Sequence, residues 1–267
     1  MDYVSSMSIV KIATFNVNSI RSRLHIVIPW LQQEQPDMLC MQETKVDNDQ
    51  FPKDAFHEIG YTVLFSGSPK GRNGVALACR EAPLGYTVGL PSEPHDEDRI
   101  ITAHFPKLHL VNTYVPQGFS IDHPRYQYKL EWFQRLHDYF KESFTMDDNL
   151  LWCGDLNIAP EDIDVSNPKT KKNHVCFHED AQEAFRKVTS LGFVDIFRKH
   201  HPQEENQYSF FDYRVPDALN RNIGWRVDHI LTSPPLAKQS KAAYIDRQPR
   251  AQQKPSDHTP LLAEFNL

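Results

Sequence analysis

Two polar residues follow an apolar stretch near the middle of the chain. The sequence Leu151-Leu-Trp-Cys-Gly-Asp-Leu-Asn157 reads as a buried strand that ends in a carboxylate and a carboxamide. Because residues i and i+2 of a strand point to the same face, Asp155 and Asn157 would lie side by side. Burying such a pair without partners is unfavourable. The pattern therefore predicts a further group that compensates both side chains.

Similar polar residues end several other apolar stretches. They are Asn16 and Asn18 after residues 9–15, Glu43 after 37–42, Tyr114 within 108–115, Asp228 within 226–231, and Asp257 and His258 before 261–265. Side chains at the ends of different strands can converge on one mouth of an α/β fold. Taken singly, each has a simpler interpretation: turn-capping asparagines, a solvated glutamate, an aspartate paired with Arg226 or Arg221, and a structural histidine.

Together these residues form a chemically consistent set. Carboxylate and carboxamide oxygens are ligands suited to Mg²⁺ or Mn²⁺ rather than to zinc. Asp257-His258 and a further aspartate can form a carboxylate–imidazole pair that keeps the ring oriented or charged. A divalent cation beside a cationic imidazole fits stabilisation of a pentacovalent phosphorane.

A second metal interpretation concerns the segment His174-Val-Cys-Phe-His178-Glu-Asp180. Its histidines and cysteine are zinc-type ligands, but no second ligand pair follows at a finger-like spacing. The acidic residues also suit the N-terminus of a helix over 180–191. Zinc is therefore the minor alternative.

Composition places few limits on function. The 267 residues are 40% hydrophobic and 24% charged, which is typical of a globular protein. No apolar run approaches the about 20 residues of a membrane-spanning helix, and MDYVSSMSIVKI lacks the features of a secretory signal. The distant cysteines predict reduced, buried thiols in a cytoplasmic protein; they are Cys40, Cys79, Cys153 and Cys176.

Charge is unevenly distributed along the chain. The formal net charge is −6, yet residues 221–254 carry seven Lys or Arg against Asp228 and Asp246. Lys169, Lys171 and Lys172 form a second basic spot. These segments are equally compatible with a nucleic-acid-binding face and with an ordinary solvated surface.

Apolar runs and helical periodicity alternate without a linker or repeat. The predicted strands are 9–15, 37–42, 61–65, 74–79, 99–105, 108–115, 149–154, 226–231 and 261–265, and the predicted helices are 21–35, 124–143 and 180–191. This order predicts one α/β domain over 9–267 with helices packed outside sheet layers, preceded by a flexible extension over 1–8.

The motifs resemble those of exonuclease III and the related abasic-site endonucleases, within the endonuclease/exonuclease/phosphatase superfamily. The matching strings are KIATFNVN (11–18), QETK (42–45), GRNGVA (71–76), NTYVPQG (112–118), GDLN (154–157), FDYR (211–214), GWRVD (224–228) and SDH (256–258). GDxN and SDH mark only the superfamily, which includes sugar-phosphate and lipid phosphodiesterases. YVPQG and GWRxD are typical of the DNA-repair branch.

The resemblance implies a fold and residue roles. The fold would be a four-layered α/β sandwich, of α/β or α+β class, with two facing mixed sheets flanked by helices. Glu43 would hold Mg²⁺ with Asn16 nearby and Asp257 within reach. Asp155 would position or deprotonate the attacking water, supported by Asn157. His258, oriented by Asp228, and Tyr114 would stabilise the phosphate in the transition state.

The resemblance also implies contacts with double-stranded DNA. Phe210 and Trp225 would wall a pocket for a flipped, base-less sugar, although both could equally be core aromatics. The other expected DNA-binding residues are Arg72, Gln117, Lys172, Asn173 and Arg226. Asn18 stands where some relatives carry aspartate, which weakens a two-metal scheme. Arg72 replaces an aromatic residue seen in some members.

The implied activity is that of a monomeric, Mg²⁺-dependent DNA-repair nuclease. It would cut 5′ to abasic sites, leave a 3′-hydroxyl, and trim 3′ ends. Two alternatives stay open: a superfamily phosphoesterase acting on a small phosphate ester, and a non-catalytic DNA-binding relative. An intact set of acidic residues argues against the second, because a DNA binder has no use for an acidic cluster facing an anionic polymer.

Overall fold

The computed structural model describes residues 8–68 and 71–267. Residues 1–7 of the predicted extension lie outside the described residues. Ser8 does not belong to an extension, because its backbone N–H and carbonyl pair with Leu267, both at 3.1 Å. None of the described helices has the length and apolar character needed to cross a membrane.

The described residues form two mixed six-stranded sheets. The first has the order β11-β12-β1-β2-β4-β3, with β1 (Ile9–Asn16), β2 (Met38–Gln42), β3 (Thr62–Ser66), β4 (Val75–Cys79), β11 (Ser240–Ile245) and β12 (Leu261–Asn266). The second has the order β5-β6-β7-β8-β10-β9, with β5 (Gly85–Val88), β6 (Ile100–Phe105), β7 (Leu108–Tyr114), β8 (Leu150–Asp155), β9 (Val194–Asp195) and β10 (Asp228–Thr232). Each sheet has one parallel pair, β1–β2 or β7–β8, among antiparallel neighbours.

Helices α1 (Ile20–Glu34), α2 (Lys53–His57), α3 (Pro124–Ser143) and α4 (Glu179–Thr189) pack on the outer faces of the sheets. The short helices α5 (Ile196–His200) and α6 (Pro234–Gln239) contribute residues to the apolar cluster between the sheets. Leu151 of β8 packs in the cluster between the sheets, whereas its neighbour Trp152 packs with residues of α3 and α4. Burial on both faces explains why the central strands read as continuous apolar runs. The predicted four-layered sandwich is confirmed.

The elements that sequence patterns missed are short or lie at sheet edges. All nine predicted strands and three predicted helices are present with bounds shifted by one or two residues. The edge strands β5 and β11 are half-exposed, and β9 has only two residues. Because such strands bury little apolar surface, their sequences carry weak periodicity.

The prediction that Arg226 contacts DNA is wrong. Its side chain is 1% exposed, with Nε donating to Asp164 Oδ1 and Nη1 donating to Asp195 Oδ2, both at 2.8 Å. This arrangement also excludes the pairing of Arg226 with Asp228. A buried guanidinium needs carboxylates to replace its hydration. Asp164 and Asp195 supply them here, and both lie in segments distant from Arg226 in the sequence.

Removing Arg226 should destabilise the fold strongly. We expect Arg226→Met to lower the free energy of unfolding by about 3–5 kcal/mol, because Asp164 and Asp195 would remain buried and lose a partner. Urea denaturation followed by circular dichroism measures the change. Arg186→Met, which breaks an exposed pair with Glu183, is the control and should cost about 1 kcal/mol or less. Equal effects of the two substitutions would contradict this account.

Candidate active site

Strand register aligns three of the predicted site residues across the second sheet. Tyr114 pairs with Asp155 in the parallel β7–β8 ladder, and Asp155 pairs with Asp228 in the antiparallel β8–β10 ladder. The three residues therefore occupy one row at the same end of neighbouring strands. The row defines the edge of the sheet at which the site is built.

Gly154 permits the backbone approach that places Asp155. Its φ is +141°, a conformation that residues with a Cβ rarely adopt, and a Cβ there would lie 1.8 Å from the Thr113 carbonyl oxygen. The glycine of the GDLN string is thus required for the close β7–β8 contact. Asn157 then turns the chain with φ +48°.

The first sheet contributes the residues that face this row. Asn16 ends β1, Glu43 follows β2, and His258 precedes β12. The Asn16 carboxamide is fully buried, and its Nδ2 donates to Glu43 Oε1 and to Asp155 Oδ2, each at 2.8 Å. One side chain therefore links the acidic groups of the two sheets.

Asp155 and Asn157 lie on the same side, as their spacing predicts. The Asn157 backbone N–H donates to Asp155 Oδ1 at 3.0 Å, and Asn157 Nδ2 donates to the Val115 carbonyl at 3.0 Å. Together with Asn16, these contacts satisfy much of the Asp155 carboxylate. Hydrogen bonds from other protein groups therefore offset part of the cost of burying Asp155 and Asn157.

His258 is clamped between two carboxylates. Its Nδ1 lies 2.8 Å from Asp228 Oδ2, and its Nε2 lies 3.7 Å from Asp155 Oδ2. Burial disfavours the charged ring, but the negative charges of Asp228 and Asp155 outweigh burial and raise the pKa of His258 to about 10. The imidazole is therefore cationic at neutral pH, as needed to stabilise charge on a phosphate.

The neighbouring acids also have shifted proton affinities. Burial, opposed by His258 and reinforced by Asp228 and Glu43, raises the pKa of Asp155 to about 7. Burial and the negative charges of Glu43 and Asp155 raise the pKa of the Tyr114 hydroxyl well above its ordinary value, which keeps it a hydrogen-bond donor. A carboxylate with a pKa near neutrality is suited to accept a proton from water.

The donor set fits a hard divalent cation. Among the described residues, Glu43, Asp155 and His258 offer ligand-type atoms that all lie within 4.8 Å of one another. Since His258 is cationic, the available donors are the carboxylate oxygens of Glu43 and Asp155, which suit Mg²⁺. The predicted ligand Asn16 lies beside them, but its Nδ2 faces both carboxylates and its Oδ1 accepts from the Asn18 N–H at 3.0 Å. Asp257 is not in this group: its Oδ1 accepts from Asn18 Nδ2 at 2.9 Å. Lys45 Nζ contacts Glu43 Oε2 at 2.6 Å.

A cavity of about 370 Å³ opens beside the acidic cluster. Asp155, Asn157 and His258 line one side, and Phe210 and Trp225 line another. The Phe210 ring packs 4.9 Å from the His258 ring. The two aromatics predicted to wall a sugar pocket are thus part of the same cavity as the ionisable groups.

Three residues that line the cavity were not predicted from the sequence to do so. The His174 ring packs on Trp225 at 4.5 Å, Lys171 Nζ lies 5.6 Å from the Trp225 ring centre, and Arg214 lies at the rim. Lys171 and His174 flank the predicted DNA contacts Lys172 and Asn173 in sequence, and nothing local shows which way their side chains point. The basic composition of 169–172 was the available signal.

The structure does not support zinc at His174, Cys176 and His178. Within the described residues these side chains do not form a metal-binding group. His174 Nδ1 accepts from the Cys176 N–H, and His178 caps α4 by accepting from the Asp180 N–H. The Cys176 thiol lies 3.7 Å from Asn157 Oδ1. All four cysteines are buried and free, as predicted.

The other predicted DNA contacts lie at the surface around the cavity. Arg72, Gln117, Lys172 and Asn173 are exposed. Arg72 and Gln117 share a groove with Arg99 and with Phe119, whose side chain is 71% exposed. Cations and an exposed aromatic side chain at one rim are suited to phosphates and bases.

An α/β sandwich with an acidic, metal-compatible cluster and a buried cationic histidine defines a phosphoesterase. The model of the Endonuclease/Exonuclease/phosphatase family matches residues 13–258, so the chain belongs to that family. Exodeoxyribonuclease III of Haemophilus influenzae is 34% identical over 96% of this chain and 99% of its own length. The family predicted from the motifs is confirmed.

Solved structures show the same likeness. An AP endonuclease from Archaeoglobus fulgidus is 58% identical, with a TM-score of 0.94 over 97% of this chain and 100% of that one. A 3′-5′ exonuclease from Neisseria meningitidis is 37% identical, with a TM-score of 0.92 over 96% of this chain and 100% of that one. Relatives named for endonuclease and for exonuclease action therefore share this fold over nearly their full lengths.

Removing the Asp228 carboxylate should lower the pKa of His258. The folded pKa, about 10, exceeds the unfolded value of about 6.5, so protonation stabilises the fold below pH 6.5, and this contribution is lost as pH rises through 10. In Asp228→Asn we expect His258 to titrate closer to its unfolded value and nuclease activity to fall about 10²-fold. NMR titration of the imidazole in metal-free protein measures the pKa. An unchanged titration would show that Asp228 does not hold the charge.

Proposed function

We propose that this protein is a Mg²⁺-dependent DNA-repair nuclease that hydrolyses the phosphodiester 5′ to abasic sites in double-stranded DNA. The observation that carries the proposal is the shared cavity: Phe210 and Trp225 stand beside Asp155 and His258. The aromatic walls would pack against an extruded deoxyribose, and their shape would disfavour an attached base. Damage recognition would then depend on shape.

The residues divide the hydrolytic step among them. Asp155 orients a water molecule and accepts its proton, since its pKa of about 7 permits both protonation states near neutrality. Asn157 supports that water or the phosphate. The oxygen of water bonds to phosphorus as the bond to the 3′-oxygen breaks, which leaves a 3′-hydroxyl and a 5′-phosphate.

Hydrogen-bond donors that are already positioned in the site would stabilise the negative charge that develops on the phosphate. His258, held charged by Asp228, and the Tyr114 hydroxyl donate hydrogen bonds to the phosphate oxygens. Mg²⁺, held by Glu43 with Asn16 adjacent, supplies Lewis-acid stabilisation of the same charge when bound. Mn²⁺ suits the same oxygen donors.

The same site would act at 3′ ends. A terminal nucleotide presents a phosphodiester, and a terminal 3′-phosphate presents a phosphomonoester; in both, water attacks phosphorus and the bond to the 3′-oxygen breaks, without the need to extrude an internal sugar. The exposed residues Arg72, Gln117, Lys172 and Asn173 would hold the duplex backbone in either mode. We further propose that the protein acts as a cytoplasmic monomer.

The decisive experiment is a gel assay on an end-labelled duplex with one stable abasic-site analogue. An undamaged duplex and a small phosphodiester run alongside, each with Mg²⁺ or EDTA. We expect a single Mg²⁺-dependent cut 5′ to the lesion, reduced about 10²–10⁴-fold in Asp155→Asn because the proton acceptor is lost. Asp147→Asn, an exposed carboxylate ahead of the start of β8, is the matched control and should keep wild-type rates.

Each other outcome points elsewhere. A ladder that shortens from the 3′ end of both duplexes would make the protein chiefly an exonuclease. Cleavage of the small phosphodiester alone would show that the protein is a phosphoesterase acting on small phosphate esters. Tight duplex binding without turnover would make it a DNA-binding relative. Wild-type incision by Asp155→Asn would refute the assigned mechanism.

Lys172 should contribute a salt-dependent phosphate contact. Its side chain is 63% exposed, and its ammonium lies 3.3 Å from the exposed Asp162 and 5.0 Å from the centre of the Phe177 ring. We expect Lys172→Ala to reduce the slope of log affinity against log salt by about 0.9, since one fewer counterion is released. Fluorescence anisotropy in EDTA across a KCl series measures the slope. Lys107→Ala, in the turn between β6 and β7 away from the site, should leave the slope unchanged.

A further inference from the structure

Lys129 is a fully buried lysine that reaches the active site from outside the sheets. It projects from α3, has 0% exposure, and its ammonium donates to three carbonyl oxygens. These belong to Val175 at 2.6 Å, Asn157 at 2.7 Å and Gln117 at 3.2 Å. An ammonium has three N–H donors, and here each has a backbone acceptor.

The three acceptors come from three separate segments that surround the cavity. Gln117 follows β7, Asn157 follows β8, and Val175 precedes α4. Gln117, Asn157 and Cys176, the neighbour of Val175, all line the cavity. Beyond the strand ends single hydrogen bonds join the segments pairwise: Asn157 Nδ2 donates to the Val115 carbonyl at 3.0 Å, and the Ala159 N–H donates to the Cys176 carbonyl at 2.7 Å. The Lys129 ammonium contacts all three segments at once. The ammonium is thus a common anchor beneath the cavity wall.

Asn157 shows how this anchor reaches the reacting groups. Its carbonyl accepts from Lys129, while its backbone N–H donates to Asp155 Oδ1 at 3.0 Å. The Lys129 ammonium therefore fixes the carbonyl of Asn157, and the Asp155 carboxylate fixes its backbone N–H. Displacement of the carbonyl would move the carboxamide that faces the cavity and loosen one hydrogen bond to Asp155.

The identity of the partners distinguishes Lys129 from an ordinary buried ion pair. Its hydrogen bonds among the described residues go to carbonyls and not to a carboxylate, in contrast to Arg226. Burying an ammonium costs several kcal/mol, and three charge-assisted hydrogen bonds offset that cost. None of its hydrogen-bond partners among the described residues is a carboxylate, and Asp155 lies on the other side of Asn157, where an anionic substrate would also lie.

We propose that Lys129 is a positioning residue for phosphodiester hydrolysis: its ammonium fixes the relative placement of the segments carrying Gln117, Asn157 and Cys176. It touches neither substrate nor metal. Its contribution is realised in the turnover step, because a displacement of about 1 Å in a positioned group lowers a rate by about 10²-fold. Of the predicted surface contacts with DNA, Lys129 binds only the backbone carbonyl of Gln117 among the described residues, so most of the DNA affinity should not depend on it.

The test compares Lys129→Met, Lys129→Gln and Lys129→Arg with the wild-type protein. Methionine removes all three donors, glutamine keeps donors without charge, and arginine keeps both. Lys199→Met is the matched control, because Lys199 Nζ likewise binds a carbonyl, of Ala237 at 2.6 Å, and Ser240 Oγ at 2.7 Å, at the far end of the first sheet. All assays run at a temperature where circular dichroism shows each variant folded.

We expect kcat for incision to fall about 10²-fold in Lys129→Met, with KM and the affinity for undamaged duplex in EDTA within threefold of wild type. Lys129→Arg should recover at least tenfold of that loss, and Lys129→Gln should recover less. Amide hydrogen exchange should quicken at residues 117–118, 157–158 and 175–176 and stay unchanged in α3. Lys199→Met should keep wild-type kcat even if its melting temperature falls.

Other results overturn the proposal. A folded Lys129→Met with wild-type kcat, or a loss that appears in KM alone, would show that the anchor does not place the reacting groups. An equal loss of kcat in Lys199→Met would reduce Lys129 to a contributor to stability. If the wild-type protein itself fails to cut damaged duplex, the proposed function fails first, and the exchange data alone then decide whether Lys129 anchors the three segments.

Discussion

The site depends on one buried carboxamide that joins the two sheets. Asn16 donates to Glu43 of its own sheet and to Asp155 of the other, and without it two buried acids would face each other with less to hold them. A neutral donor at this point lowers the cost of bringing the carboxylates together and leaves their negative charge in place. Carboxylate oxygens that keep this charge suit a divalent cation.

Register and inter-sheet contacts maintain that arrangement. A slip of one residue between β8 and β10 would turn either Asp155 or Asp228 away from His258, because side chains alternate between faces. Sliding of one sheet on the other is opposed by a buried polar tie: Gln42 Nε2 donates to Asn112 Oδ1 at 2.7 Å, and Asn112 Nδ2 donates to backbone carbonyls of the facing sheet. Directional contacts of this kind specify one packing where apolar surfaces alone would tolerate several.

Three buried cations are stabilised in three different ways. Arg226 is neutralised by two carboxylates and holds segments of the outer layer together. His258 is held charged by Asp228 and faces the cavity. Lys129 binds carbonyls only and keeps its charge beneath the site. The chemistry of the partner, rather than burial itself, decides whether a buried charge serves stability, reaction or placement.

Much of the molecule follows from local pattern. Continuous apolar runs determined the central strands and their polar ends located the site, because strand periodicity is a property of neighbouring residues. Asp155 and Asn157 face one side as expected, but Asn157 lies beyond β8 and reaches Asp155 through a turn with φ +48°. Only the tertiary structure decided that Arg226 is buried, that His174 covers Trp225 and that Lys129 anchors the cavity wall. These contacts join residues tens of positions apart, and their geometry is set by sheet register and loop path, which no local periodicity contains.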